Sequence, residues 1–265
     1  MKQRANLECI NPKCKKKFPI MSFQIRCDTC DYLLDVSYKE TPPTNLKEIF
    51  YERHNPQASI YNESGVWRFR ELLNFCEIDT EQIEQCSKFL VSLDGSEGRL
   101  SKPYHMTKVS SFVDIDNENL MLQPEGYNPS GSFKDNGMSA AVTHAKMMGA
   151  KKIICASTGN TSASAGMFAA NENMECDVYI PDGQIAPGKL SQAYQFGTQM
   201  IKVNGNFDDA FEKSLSAAKQ KGSYTVNSVN PFRIEGQKTI LYRALEFLNW
   251  NIPDWIIYPG GALGN

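Results

Sequence analysis

The sequence has no marked excess of charge of either sign. It contains 28 Lys and Arg residues against 30 Asp and Glu residues, which leaves a net charge of -2 at pH 7. Proteins that bind nucleic acid or an anionic membrane surface usually present strongly basic patches. We therefore expect neither nucleic acid nor a membrane as a partner of this chain.

Long apolar runs are also missing. No stretch of the sequence reaches the roughly 20 apolar residues that a membrane-spanning helix needs, and the N-terminal residues lack the apolar core of a signal peptide. The hydrophobic content of 41% and the charged content of 22% are ordinary for a globular protein, and 265 residues suffice for one or two domains. We expect a cytoplasmic globular protein.

Cysteine is too sparse for a disulfide scaffold, but four of the eight cysteines cluster near the N-terminus. Cys9, Cys14, Cys27 and Cys30 follow a C-x4-C, twelve-residue, C-x2-C spacing. Two such pairs of thiolates can bind Zn²⁺ in a tetrahedron, as in a zinc ribbon. We expect a small zinc-ribbon-like module over residues 1–38; the alternative is a small cap that has lost its metal.

From about residue 119 onward, apolar segments of strand length alternate with helical segments. This order predicts an α/β fold, in which helices flank open, mostly parallel sheets, with residues 39–118 as a linker and the N-terminal part of that region. Ligands of such sheets bind at the carboxyl ends of strands. The predicted strands cover 120–122, 152–156, 177–180, 199–203, 224–226 and 255–258, and the predicted helices cover 132–148, 160–171, 187–196, 207–221 and 234–249.

The decapeptide over residues 128–137, NPSGSFKDNG, places Lys134 in the first turn of a helix, directly after a Gly/Pro/Ser turn. We expect Ser132 to cap this helix and Asp135 to complete a box-like start. The positive end of the helix dipole favours the neutral form of an amine there, and a neutral amine can form a Schiff base. Lys134 is therefore the first candidate catalytic residue.

Two further loops follow predicted strands. Residues 157–162 offer Ser157, Thr158, Asn160 and Thr161 at the start of a helix, which suits a carboxylate or a phosphate. Residues 259–265 are rich in glycine, which lets backbone N–H groups approach an anion closely. Each loop alone is weak evidence for a site, but the three in this order point to one binding site.

Together these loops resemble the pyridoxal-phosphate enzymes of the tryptophan-synthase β fold, also called fold type II. Within that group the sequence is most similar to the threonine synthase family. The decapeptide resembles that family's Schiff-base lysine motif, residues 157–162 its asparagine loop, and residues 227–239, NSVNPFRIEGQKT, its most diagnostic segment. Residues 67–73 and a Cys-rich N-terminus also occur in some members.

The resemblance implies roles for individual residues. Lys134 would form the Schiff base with pyridoxal 5'-phosphate and later move protons as a free amine. It assigns cofactor binding to Lys134, Asn160, Gly261, Ala262, Leu263, Gly264 and Asn265. It assigns the substrate's carboxylate and phosphate to Ser157, Thr158, Thr161, Asn227, Ser228 and Arg233, with Lys189 as either a further phosphate contact or a surface lysine.

The implied reaction is a phosphate-eliminating, carbon–oxygen lyase reaction of threonine biosynthesis. It converts O-phospho-L-homoserine and water to L-threonine and phosphate, with the cofactor as the electron sink. Phosphate leaves from Cγ and water adds at Cβ, so a strong anion site is required, and Arg233 suits it. The resemblance also allows for a homodimer.

The sequence departs from the family pattern in three places. Residues 99–105 replace the usual Thr-Pro-Leu, Asn136 stands where Arg is common, and family members continue well past residue 265. We therefore expect a fragment of a longer protein. Two alternatives stay open: another fold type II enzyme, such as a threonine or serine dehydratase or a cysteate-synthase-like enzyme, and a non-catalytic protein that keeps this fold.

Overall fold

The computed structural model describes residues 4–53, 62, 64–75, 104–183 and 187–261. The strands in these residues are β1 Ala5–Cys9, β2 Lys17–Pro19, β3 Leu34–Tyr38, β4 Tyr104–His105, β5 Met121–Leu122, β6 Lys152–Ala156, β7 Glu175–Pro181, β8 Gln199–Val203 and β9 Ser223–Thr225. The largest sheet that they form is parallel and has the strand order β8-β7-β6-β9. The α/β fold with a parallel sheet is confirmed.

Helices connect the parallel strands. The α-helices in the described residues are α1 Leu46–Glu52, α2 Thr107–Val113, α3 Lys134–Met147, α4 Asn160–Asn171, α5 Pro187–Gln195, α6 Phe207–Ala217 and α7 Pro231–Phe247. Short 3-10 segments cover Trp67–Phe69, Asn117–Asn119 and Glu125–Tyr127. None of these helices combines the length and the apolar character needed to cross a bilayer.

Several predicted bounds agree with the structure, and one helix starts earlier than expected. The bounds of β6, α4 and β8 are those predicted from the sequence. The predicted helix over 234–249 instead begins at Pro231, because the Asn230 side chain accepts hydrogen bonds from the backbone N–H groups of Phe232 and Arg233. Asn followed by Pro at the first helical position is a strong start signal.

The predicted strand over 255–258 is wrong for this structure. Residues 251–261 have no regular secondary structure, and their apolar side chains face solvent, with Trp255 84% and Ile257 92% exposed. A strand needs a neighbour to satisfy its backbone N–H and C=O groups. Among the described residues no strand pairs with this segment, so its β-forming residues stay extended and unpaired.

The N-terminal residues 4–38 form an antiparallel sheet of three strands, β2-β1-β3. We call these residues the cysteine module. The module packs on α7, where the hydroxyl of Tyr38 donates to Glu235, a carboxylate that also accepts from Lys238.

A buried histidine joins the cysteine module to the parallel sheet. His144 of α3 donates from Nε2 to the Ile20 carbonyl oxygen at 3.0 Å and accepts at Nδ1 from the Tyr224 hydroxyl at 2.7 Å. Its ring stacks on Phe232, with 3.5 Å between ring centroids. Since a carbonyl can only accept, Nε2 carries a hydrogen, and because burial lowers the pKa of His144 to about 3, the ring is neutral at pH 7 and its Nδ1 accepts from the hydroxyl.

Candidate active site

Lys134 is the first residue of α3 and follows a tight turn. Gly131 in that turn has φ = +80°, a conformation that glycine adopts without the strain that a Cβ would cause. The Lys134 side chain is half-buried, and its amine lies 4.1 Å from the centroid of the Phe133 ring. The turn and the start of the helix therefore lie where the sequence predicts them.

The start of α3 is held differently from the capping box that the sequence suggests. Phe133 is the residue before the helix and makes no side-chain cap, while Ser132 Oγ lies 3.4 Å from the Lys134 N–H nitrogen. The buried Asp135 carboxylate instead accepts from the Ser130 backbone N–H at 2.7 Å and from its hydroxyl at 2.5 Å. It also accepts from Ser164 Oγ of α4 at 2.6 Å, so Asp135 fastens the lysine turn to the next helix.

The environment of Lys134 favours its neutral form. Burial, assisted by the positive charge of Arg233, lowers the pKa of the Lys134 amine to about 8. The prediction of an amine that is easy to deprotonate thus agrees with the structure, but the main causes are desolvation and a nearby cation, whereas the sequence argument relied on the helix dipole. At pH 7 about a tenth of such amines are neutral and nucleophilic.

The loops after β6 and β9 meet at one edge of the sheet. The Asn227 side chain accepts from the Ala156 backbone N–H at 2.9 Å and donates to the Ala156 carbonyl at 2.8 Å. Asn227 therefore holds the end of β6 in place through two hydrogen bonds, directly before the loop at 157–162. In that loop Gly159 donates its backbone N–H to Ser157 Oγ at 3.1 Å.

Asn160 is the first residue of α4, and one polar atom of its side chain lacks a hydrogen-bond partner among the described residues. Its Oδ1 is buried and has no hydrogen-bond partner in the described structure. Rotation of the amide by 180° would place the NH₂ group at the same point, so the site can offer either an acceptor or a donor to a ligand. Ser157, Thr158 and Thr161 are half-buried around it, as a binding loop requires.

Arg233 is the largest buried cation near Lys134. It is 1% exposed; Nη1 donates to the Val226 carbonyl at 3.0 Å and Nη2 to Gln237 Oε1 at 3.0 Å. Burial lowers the pKa of Arg233 to about 10, which keeps it charged at neutral pH. Its Nε and the Gln237 Nε2 are buried without partners. Gln237 was not among the candidates, although its spacing of four residues from Arg233 on one helix was a usable signal.

A second carboxylate supports the lysine turn from the other side and was also missed. Glu125 accepts from Gln123 Nε2 at 2.7 Å, Asn128 Nδ2 at 2.8 Å, Asn136 Nδ2 at 2.9 Å and Arg243 Nη2 at 2.9 Å. Arg243 also donates to Asn136 Oδ1 at 2.9 Å. Arg243 thus brings a cation from α7 to Asn136, and the presence of Asn136 directly after Lys134 and Asp135 was the available signal.

Several candidates lie apart from this cluster or beyond what can be described. Lys189 lies within α5, but its side chain is outside the described residues, as are Ala262, Leu263, Gly264 and Asn265. Gly261 ends the described chain and is exposed. Ser228 is half-buried in the loop between β9 and α7.

The four N-terminal cysteines converge at one point of the cysteine module. Their sulfur atoms all lie within 4.8 Å of one another, with 3.4 Å between Cys9 and Cys30 and 3.7 Å between Cys14 and Cys27. A zinc ion with Zn–S bonds of about 2.3 Å requires sulfur atoms about 3.8 Å apart. The cluster therefore has the size of a tetrahedral thiolate site.

Comparison with known proteins relates this chain to the pyridoxal-phosphate-dependent enzymes. Residues 102–265 match the family model described as "Pyridoxal-phosphate dependent enzyme". The chain is 37% identical over 253 residues to a threonine synthase of Methanocaldococcus jannaschii, which covers 96% of this chain and 57% of that relative. It is 52% identical over 141 residues to a threonine synthase of a Bacillus species, covering 53% of this chain and 40% of the relative. The chain thus spans about half the length of the curated relatives it matches.

Two solved structures with a similar fold are ammonia lyases. Diaminopropionate ammonia lyase from Escherichia coli in complex with D-serine has a TM-score of 0.53 and 15% identity, over 64% of this chain and 49% of that chain. A fungal L-serine ammonia-lyase from Rhizomucor miehei has a TM-score of 0.50 and 19% identity, over 57% of this chain and 48% of that chain. At these identities the likeness shows the fold alone.

Proposed function

Because this chain belongs to the family of pyridoxal-phosphate-dependent enzymes, we propose that it carries the lysine-bearing part of a threonine synthase active site. The protein would convert O-phospho-L-homoserine and water to L-threonine and phosphate. One observation carries the proposal: the amine of Lys134 is half-buried in the first turn of α3, where desolvation and the charge of the buried Arg233 lower its pKa to about 8. The identity to threonine synthases over 96% of the chain supports it.

The residues present fit pyridoxal 5'-phosphate. Lys134 offers a nucleophilic amine, and Asn160 offers a buried amide atom without a partner at the start of α4. When bound, the cofactor supplies an electron sink for carbanions at the substrate's carbon atoms. Lys134 would hold the cofactor and move protons, while Ser157, Thr158 and Thr161 would bind the substrate's carboxylate through hydroxyl and helix N-terminal N–H groups.

The lysine role can be tested by cofactor binding. We expect the protein to take up pyridoxal 5'-phosphate and, after borohydride reduction, to carry it covalently on Lys134, as peptide mass spectrometry would show. Lys134→Ala abolishes this adduct, while Lys219→Ala, at an exposed lysine beyond the end of α6, leaves it unchanged. A protein that never takes up the cofactor would support the non-catalytic alternative.

A dehydratase is the second candidate, and the burial of Arg233 favours it. Arg233 is 1% exposed and both of its Nη atoms already donate within the chain, so a substrate phosphate could reach its remaining N–H groups only after rearrangement. For a threonine synthase, Arg233→Ala should lower kcat/KM for O-phospho-L-homoserine by at least about 100-fold, the size of a lost charged contact. Urea unfolding of the same variant is the control for folding. A wild-type protein that deaminates L-serine and ignores the phosphorylated substrate would be a dehydratase.

Zinc is the metal that best fits the cysteine module. Four thiol groups within 4.8 Å of one another match a structural Zn²⁺ site with no open ligand position. The bound ion would hold the loops after β1 and before β3 together. The homodimer and the cytoplasmic location stay predictions.

A further inference from the structure

Helices α3 and α7 touch backbone to backbone at two glycines. A Cβ placed on Gly236 would lie 2.1 Å from the Asn136 carbonyl oxygen, and one on Gly137 would lie 2.7 Å from the Arg233 carbonyl oxygen. Neither glycine has a positive φ, so the close approach, and not the backbone conformation, is what requires glycine here. Because the atoms in the way belong to the backbone, a change of side-chain rotamer could not relieve the overlap.

Each of the two glycines follows a cationic residue of its own helix by three positions. Lys134 lies three residues before Gly137 on α3, and Arg233 lies three residues before Gly236 on α7, which is about one helical turn in each case. The helix contact therefore determines how closely the first turns of the two helices approach each other. Arg233 cannot adjust independently, because Val226 and Gln237 hold its guanidinium, and Gln237 itself lies against Gly137.

We propose that Gly137 and Gly236 are positioning residues for the amine of Lys134, because the contact they permit holds Arg233 close to it and keeps water away. The inference depends on the proposed function only in that Lys134 is the cofactor lysine. Burial and the Arg233 charge together keep the pKa of Lys134 low, and both would weaken if the helices moved apart. Of the neighbouring acids, Asp135 is engaged with Ser130 and Ser164. On β6 the Cys155 thiol is neutral, since burial raises its pKa to about 12.

The ionisation of Lys134 can be followed without cofactor or substrate. Trace acetylation with acetic anhydride at a series of pH values, quantified by peptide mass spectrometry, reports the fraction of neutral amine. We expect a midpoint near pH 8 for the wild-type chain. Gly236→Ala and the milder Gly137→Ala should raise the midpoint by about one pH unit, which lowers the neutral fraction at pH 7 about tenfold.

Two further variants keep the test decisive if the glycine variants fold poorly. Gly166→Ala, at a buried glycine of α4, is the matched control. A Cβ at this position would lie 2.5 Å from the Thr198 side chain, so the variant should lose stability while the Lys134 midpoint stays near pH 8. Arg233→Gln removes the charge but keeps both glycines, and should also raise the midpoint. A folded glycine variant with the wild-type midpoint would overturn the proposal. If neither glycine variant folds, an unchanged midpoint in Arg233→Gln would overturn it.

The outcomes separate this inference from the proposed function. A raised midpoint in a protein that does not turn over O-phospho-L-homoserine would support the positioning role and contradict the threonine synthase activity. A wild-type midpoint in a folded glycine variant of an active threonine synthase would do the reverse.

Discussion

The cysteine module and the cluster around Lys134 differ in the groups that their polar side chains contact. In the module four sulfur atoms face one another within 4.8 Å. Around Lys134, the buried Asp135 and the half-buried Glu125 each accept from several donors of the chain. The difference teaches that the lysine cluster is organised by hydrogen bonds within the chain, whereas the four thiols are the arrangement for which we propose a zinc ion.

The largest effect is expected for a variant that removes a thiol from the cysteine module. Cys14→Ser removes one of four ligands, and structural zinc sites contribute on the order of 10 kcal/mol to the folding of small modules. We expect the variant to lose its zinc, measured by elemental analysis of reduced protein, and the module to become sensitive to proteolysis. Cys176→Ala, at a buried cysteine outside the cluster, should keep the metal. Equal metal content in the two variants, or none in the wild type, would contradict the proposed site.

A smaller effect is expected within the lysine cluster. Asp135→Asn replaces an acceptor of three hydrogen bonds by an amide that cannot accept at both positions, which should cost about 3 kcal/mol. Urea unfolding measures this loss. The exposed Asp116→Asn is the control and should change the free energy of unfolding by less than about 0.5 kcal/mol. An equally small change for Asp135→Asn would mean that the turn is held by other contacts.

The smallest effect concerns His144, which joins the two regions. Its folded pKa of about 3 lies below the ordinary value of 6.5, so the unfolded chain binds a proton first as the pH falls. The stabilisation is therefore complete above about pH 6.5 and is lost toward pH 3, with about 2 kcal/mol gone at pH 5. Urea unfolding at pH 7 and pH 5 measures it. His144→Gln should lose this share of the pH dependence; an identical pH profile would show that the imidazole is not responsible.

Much of the fold around the site follows from local sequence signals. The bounds of β6, α4 and β8 were predictable because short apolar runs and small-residue helical segments are bracketed by clear stop signals, such as Gly197 with φ = +75°. The position of Lys134 at the start of a helix was predictable for the same reason. The strand predicted over 255–258 failed because β propensity needs a paired neighbour.

The candidate site was harder to predict than its elements. Asn227 was expected at the substrate's phosphate, yet both ends of its amide bond to the Ala156 backbone. Glu125 was missed because its four donors come from Gln123, Asn128, Asn136 and Arg243, and Arg243 lies 118 residues away in sequence. The Arg243 contact forms only when α7 packs on α3, so local spacing could not reveal it, and Asn136 was the one local signal.

By itself the sequence determined which residues are candidates for the chemistry, namely a lysine after a Ser/Gly turn, an asparagine loop and four paired cysteines. These sequence features depend only on residue type and on spacing along the chain, so they can be recognised without knowledge of the fold. Only the tertiary structure decided that Lys134 is desolvated and faces Arg233, because that proximity depends on the backbone contact of Gly137 with Gly236. It also decided that the module attaches through His144 and Tyr38, since those partners meet across the packed faces of α3 and α7.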